Sequence, residues 1–178
     1  MIPPNQLQNF YEIVHITNTH FKLKINNVQK LINNTISQNQ SQGFDFQSYH
    51  ILEEIYEYLE ELAKKYPNKV QVVVGGKTYE GRQIKGVKII NHENSPGIFI
   101  EGGIHAREWI SPATVMYILH QLLTSTNSKV KFVADYYNWF IFPIFNPDGY
   151  AFTFNKTHGV KFFYTSNIVF NYKLRLSI

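Results

Sequence analysis

The sequence predicts an α/β sandwich, and three observations carry that reading. β-branched runs at 70–74 and 84–90 read as paired strands. An apolar run at 139–145 has no polar alternation, as expected of a strand covered on both faces. Around these runs, residues 47–65 and 111–123 repeat apolar side chains at three-four spacing, the mark of amphipathic helices. The 178 residues suffice for one domain with a real core, and 44% hydrophobic with 16% aromatic content excludes a disordered chain.

Residues 1–34 form a first unit. Phe10, Tyr11, Ile13, Val14 and Ile16, then Phe21, Leu23 and Ile25, predict two short strands around Asn18-Thr19-His20. Val28, Leu31 and Ile32 predict the start of a helix. Residues 35–43 are polar and uncharged, and read as a linker. In the helix at 47–65, Leu52, Ile55, Tyr56, Leu59, Leu62 and Ala63 make the buried face. Glu53, Glu54, Glu57, Glu60 and Glu61 make a solvated one. Lys64 and Lys65 suit its C-terminal dipole, and Pro67 stops it.

Gly75 to Gly81 joins the two β-branched strands. Gly97 to Glu101 is a short third strand. Ser111 as N-cap and Pro112 in the first turn open the next helix, with Val115, Ile118, Leu119 and Leu122 on its buried face. His120 on that helix reads as a partly exposed surface residue. Trp139 to Phe145 is the fourth strand, and Asn146-Pro147-Asp148-Gly149 closes it as a turn.

Several classes of function are excluded or disfavoured by composition. The +4 formal charge is scattered, so no nucleic-acid partner is expected. No cysteine means no disulfide and no thiolate-bound zinc. No apolar run is long enough for a membrane span, and no secretory signal is expected at Met-Ile-Pro-Pro-Asn-Gln. Asn33, Asn39 and Asn155 open Asn-x-Ser/Thr triplets, relevant only to an exported chain.

The chemistry concentrates in Gly102-Gly103-Ile104-His105-Ala106-Arg107-Glu108-Trp109-Ile110-Ser111. An imidazole and a carboxylate three residues apart, at a strand end, suit a divalent zinc ion. Glycines allow a sharp turn, and Arg107 between the ligands could hold an anion. Spacing alone is weak, because His50 to Glu53 repeats it in what reads as an ordinary surface helix.

Context is more specific. The sequence around His105, the segment Ile-Phe-Asn-Pro-Asp-Gly-Tyr-Ala-Phe-Thr around Asn146, and Phe44-Asp45-Phe46-Gln47-Ser48-Tyr49-His50 before Leu-Glu-Glu-Ile-Tyr together resemble the zinc metallocarboxypeptidases of the pancreatic A/B family. Ile25 to Ile32 resembles the end of that family's activation segment. The resemblance implies the front half of an α/β/α sandwich with a mixed sheet at 44–158, behind part of an α+β activation domain. It implies one zinc ion, with His105 and Glu108 as two of three protein ligands, and Arg107 as a contact to substrate. Trp109 reads as packing. The substrates it implies are peptide or protein C-termini, in an extracellular setting.

The chain also departs from the pattern. Too few residues follow Glu108 to reach the family's third ligand, a distant histidine. No Glu follows Glu108, so the general base is not found. The Asn-Arg pair, the substrate-capping tyrosine and the arginine-rich run after Asn-Pro-Asp-Gly are not found either. His158 is a makeshift candidate for the third ligand. Residues 159–178 read as a non-family tail, of the kind a read-through splice donor gives, and residues 31–63 offer no Lys or Arg for a trypsin-like activating cut. A truncated, inactive product that only binds peptide or metal is therefore the alternative. An aspartoacylase-type amidohydrolase is a third reading, disfavoured by the Arg-Glu-Trp and Asn-Pro-Asp-Gly contexts.

Overall fold

Four strands, β1 (Val70–Lys77), β2 (Gln83–Ile89), β3 (Gly97–Glu101) and β4 (Asn138–Phe142), make one mixed sheet in the order β1-β2-β4-β3. They belong to a computed structural model that describes residues 2–36 and 43–154. The tail at 155–178, with His158 and Asn155, and the linker residues 37–42 with Asn39, lie outside the described residues. The described chain divides into two units, one up to Thr35 and one from Ile36 onward.

The first unit is helical. A 3-10 turn (Pro4–Gln6) leads into α1 (Leu7–Thr17), and α2 (Val28–Thr35) follows. The expected strands are therefore a correction: no strand lies among the described residues of this unit. Phe10, Val14 and Thr17 also fall at helical spacing. Asn18, in the left-handed region at φ 48°, ends α1, and its N–H returns to the His15 carbonyl. The β-branched content that suggested strands is outweighed by a contiguous helical ladder. Phe21 folds back to pack edge-on against Phe10, ring centroids 5.2 Å apart. Helix α2 continues to Thr35, and Ile36 already pairs with Tyr49 in an isolated bridge.

In the second unit, β1 and β2 pair antiparallel with Val70 opposite Ile89. Strand β4 runs antiparallel to β2 and parallel to β3, with Val87 opposite Ile141 and Ile98 opposite Trp139. Alternation then sends Val87, Ile89, Ile98, Ile100, Trp139 and Ile141 to one face. There they meet Leu52, Ile55, Leu59 and Leu62 of α3 (Leu52–Lys65), and Val115, Met116 and Leu119 of α4 (Ile110–Thr124). The predicted apolar face of α3 is the observed one. The helix starts at Leu52, later than expected, because Asp45 Oδ1 accepts from the Gln47 and Ser48 amides and holds a turn there.

The opposite face of the sheet carries Phe99, Phe140 and Phe142. Phe142 lies over Gly86, where an added Cβ would come within 2.6 Å of its ring. Strand β4 has sheet neighbours on both edges, as its apolar sequence requires. Among the described residues β1 and β3 are the edge strands.

Further expectations need correction in this unit. Helix α4 begins at Ile110, and Ser111 is not its N-cap; its hydroxyl instead accepts from the Gly103 amide at 3.2 Å. Helix α5 (Ser128–Tyr136), capped by the Asn127 side chain, lies in a stretch for which no element was predicted. Asn146-Pro147-Asp148-Gly149 is not a free turn but the start of α6 (Pro147–Phe154).

Candidate metal and peptide site

Two glycines turn the chain out of β3. The pairing of β3 with β4 continues past the strand ends: the Gly102 amide donates to the Phe142 carbonyl at 2.9 Å, and the Phe145 amide to the Gly102 carbonyl at 2.8 Å. Gly103 has φ +64°, and an added Cβ would sit 3.1 Å from Pro112 Cγ and 3.2 Å from Ile144 Cα. Only glycine occupies such a backbone at no steric cost. The next residues make a tight turn, closed by the Glu108 amide donating to the His105 carbonyl at 2.8 Å. His105, Arg107 and Glu108 are all exposed on it, and Ala106 is half-buried. The structure thus brings the three predicted residues onto one turn at the C-terminal end of β3.

An imidazole nitrogen and a carboxylate oxygen on one exposed turn suit zinc in kind. Among the described residues no group of three or more His, Cys, Asp or Glu side chains gathers that could hold a metal ion. The two donors fit the ion in kind and do not by themselves complete a ligand set.

The turn is framed by packing that begins at its own end. The Trp109 ring stacks on Phe154 with centroids 4.2 Å apart, and its indole N–H donates to Thr153 Oγ1 at 2.8 Å. Trp109 therefore does the packing work expected of it. Asn146, just before α6, makes a second contact. Its Oδ1 accepts from the Gly149 amide at 3.0 Å, which makes it the N-cap of α6, and its Nδ2 donates to the Ile104 carbonyl at 3.2 Å.

Asp148, in the first turn of α6, accepts from Thr78 Oγ1 at 2.7 Å, Arg82 Nη1 at 2.8 Å and the Glu80 amide at 3.0 Å. Burial opposes its ionisation, but the bonds from Arg82, the Glu80 amide and Thr78 outweigh it and hold the carboxyl below its ordinary value. Arg82 also pairs with Glu80, and its own proton affinity rises accordingly.

In the second His-x-x-Glu, the carboxylate partner of His50 is Glu54, one residue beyond the Glu53 of the motif. His50 is buried rather than on a helix surface. It is hydrogen-bonded to Glu54 at 2.9 Å and to the Asp45 carbonyl at 2.8 Å. His120 bonds the Tyr58 hydroxyl at 3.1 Å, and burial followed by Lys65 nearby lowers its basicity. Asn146 and Asp148 are the supporting residues that sequence reasoning passed over. The signal was present, since Asn before Pro and then an acidic residue is a helix start.

A family model described as zinc carboxypeptidase matches residues 55–167, and one described as carboxypeptidase activation peptide matches residues 1–35. Zinc carboxypeptidase A 1 of Anopheles gambiae is 43% identical over 158 residues, which cover 86% of this chain and 36% of that protein. A zinc carboxypeptidase of Simulium vittatum is 51% identical over 105 residues, 59% of this chain and 34% of the relative. The crystal structure of thrombin activatable fibrinolysis inhibitor superposes with a TM-score of 0.74 at 26% identity, covering 85% of this chain and 40% of that one. The fold and these likenesses are those of the zinc carboxypeptidases. The chain belongs to the zinc carboxypeptidase family. It spans between a third and two-fifths of the length of these relatives.

Proposed function

We propose that the protein is a zinc-dependent metallocarboxypeptidase that releases the C-terminal amino acid of peptides, and that His105 and Glu108 are two of its zinc ligands. The supporting observation is the single exposed turn that carries both donors, closed by the bond from the Glu108 amide to the His105 carbonyl. Zinc, when bound there, supplies Lewis acidity toward the scissile carbonyl. Arg107, exposed between the two donors, is the contact to the peptide substrate. Gly103 and the bond from its amide to Ser111 fix where the turn leaves the sheet. Peptide or protein C-termini are the substrates, in the extracellular setting that the family resemblance implies. Among the described residues no helix is long and apolar enough to cross a membrane.

The alternative reading keeps the two donors of the turn without the rest of a catalytic site. On that reading the chain binds metal or peptide without turnover. One preparation separates the two. Residues 1–178 are titrated with zinc at neutral pH and assayed for C-terminal release from blocked dipeptides with aromatic, aliphatic or basic ends. Chelator-sensitive release supports the enzyme. Weak zinc binding that His105→Ala abolishes, without release, supports the binding module. Zinc binding indifferent to both His105→Ala and Glu108→Ala overturns the site.

A further inference from the structure

We propose that Asn146 is a positioning residue for the His105–Glu108 turn, a role additional to capping α6; this rests on the reading of those two residues as zinc ligands. Its side chain is used at both ends. Oδ1 accepts from the Gly149 amide at 3.0 Å, and Nδ2 donates to the carbonyl of Ile104, the residue before His105, at 3.2 Å. A cap needs only an acceptor, and Asp, Ser or Thr would supply it. A donor and an acceptor at this reach are the property of the carboxamide. Capping alone is met equally by Asn, Asp or Ser, whereas the bridge to Ile104 also needs the donor that the carboxamide supplies.

The neighbours are built around the same contact. At Gly149 an added Cβ would lie 2.6 Å from Asn146 Nδ2 and 2.9 Å from the Ala106 Cβ, so the first turn of α6 abuts the ligand turn itself. That first turn is in turn fixed by Asp148 to Thr78, Arg82 and the Glu80 amide. The bonds inside the loop, Gly103 to Ser111 and Glu108 to His105, are local to it. Asn146 connects it to a helix that is anchored to the β1–β2 turn. Support of this kind, one step removed from the ligands, typically alters metal affinity about 10–100-fold when it is lost.

Asn146→Asp and Asn146→Ser in the full chain test the proposal. Asp keeps the cap acceptor, and its charge favours a helix N-terminus, but it sets an oxygen against the Ile104 carbonyl. Ser keeps the cap, is too short to reach Ile104, and adds no charge that could itself attract zinc. Zinc affinity is measured by calorimetry and backbone order by amide hydrogen exchange. Both variants are expected to bind zinc about tenfold or more weakly. Exchange at the Glu108 amide should quicken, while α3 and the Gly149 amide stay protected. Should one variant fail to fold, the other carries the test. Unchanged zinc affinity in a folded variant overturns the positioning role alone. Absence in the unaltered chain of any zinc binding that His105→Ala removes overturns the ligand reading and this proposal with it.

Discussion

Replacing Asp148 by Asn tests how firmly α6 is held against the sheet. The carboxylate is 18% exposed and accepts three bonds, from Thr78, Arg82 and the Glu80 amide. A hydrogen bond to a charged group contributes about 1.5–3 kcal/mol when shielded. The Arg82 bond falls below that range, at about 1 kcal/mol, because Arg82 is 36% exposed and is shared with Glu80. An acidic residue in the first turn of a helix adds about 0.3–1 kcal/mol. The amide of Asn keeps one acceptor, so the net loss for Asp148→Asn is about 2 kcal/mol at neutral pH. With a urea slope of about 1–3 kcal/mol per molar, the unfolding midpoint should fall by about 1 M. The pH dependence has a fixed sign. A carboxyl held below its unfolded value stabilises the fold above the ordinary carboxylate range, and the contribution fades as pH falls through the lowered value. The gap between parent and variant should therefore be full at pH 7 and narrow in acid. Equal midpoints at pH 7, or a gap that stays full after the carboxyl is protonated, would refute the reasoning.

Three further substitutions have expected outcomes. Gly86→Ala puts a Cβ 2.5 Å from the Ile141 carbonyl and 2.6 Å from the Phe142 ring, in the interior of the sheet; urea unfolding should register a loss of about 3 kcal/mol, and an unchanged midpoint would mean that β2 and β4 do not pack this closely. Tyr150→Phe removes a hydroxyl that donates to the His50 carbonyl at 2.7 Å in a buried setting, with an expected cost of about 1–2 kcal/mol by the same assay. On the proposed zinc site, His105→Ala, at an exposed position, should change stability without zinc by less than about 0.5 kcal/mol, and zinc should raise the melting temperature of the parent but not of the variant. A large loss of stability in the metal-free variant would reassign His105 to a packing role.

Local pattern made the strands and the first long helix of the second unit readable. The β-branched runs at Val70 and Ile84, and the face of Leu52, Ile55, Leu59 and Leu62, each announce their own periodicity. The same criterion failed in the first unit. There Phe10 to Ile16 carry β-branched residues in a segment that closes as a helix, and no residue of α1 is buried to favour one period over the other. Helix α5 was missed although Asn127 caps it through the Lys129 and Val130 amides, because its weak apolar stripe leaves Phe132 and Tyr136 exposed.

The turn proposed to carry the zinc ligands stands out in the sequence because its residues are local: His105, Arg107 and Glu108 lie within four residues. What holds the turn is long-range. Asn146 reaches Ile104 across 42 residues, Asp148 reaches Thr78 across 70, and Tyr150 reaches the His50 carbonyl across 100. No periodicity encodes such pairs, since each partner is ordinary in its own neighbourhood. All three start from five consecutive residues, Asn146 to Tyr150, so the segment that read as a turn gathers the loop before His105, the β1–β2 turn and the segment leading into α3 onto one short helix. The helix start that Asn146-Pro147-Asp148 spells locally is what places these three side chains in their different directions. Helix α6 thus accounts for the conjunction of an easily read pair of candidate ligands with a support that only the folded chain reveals.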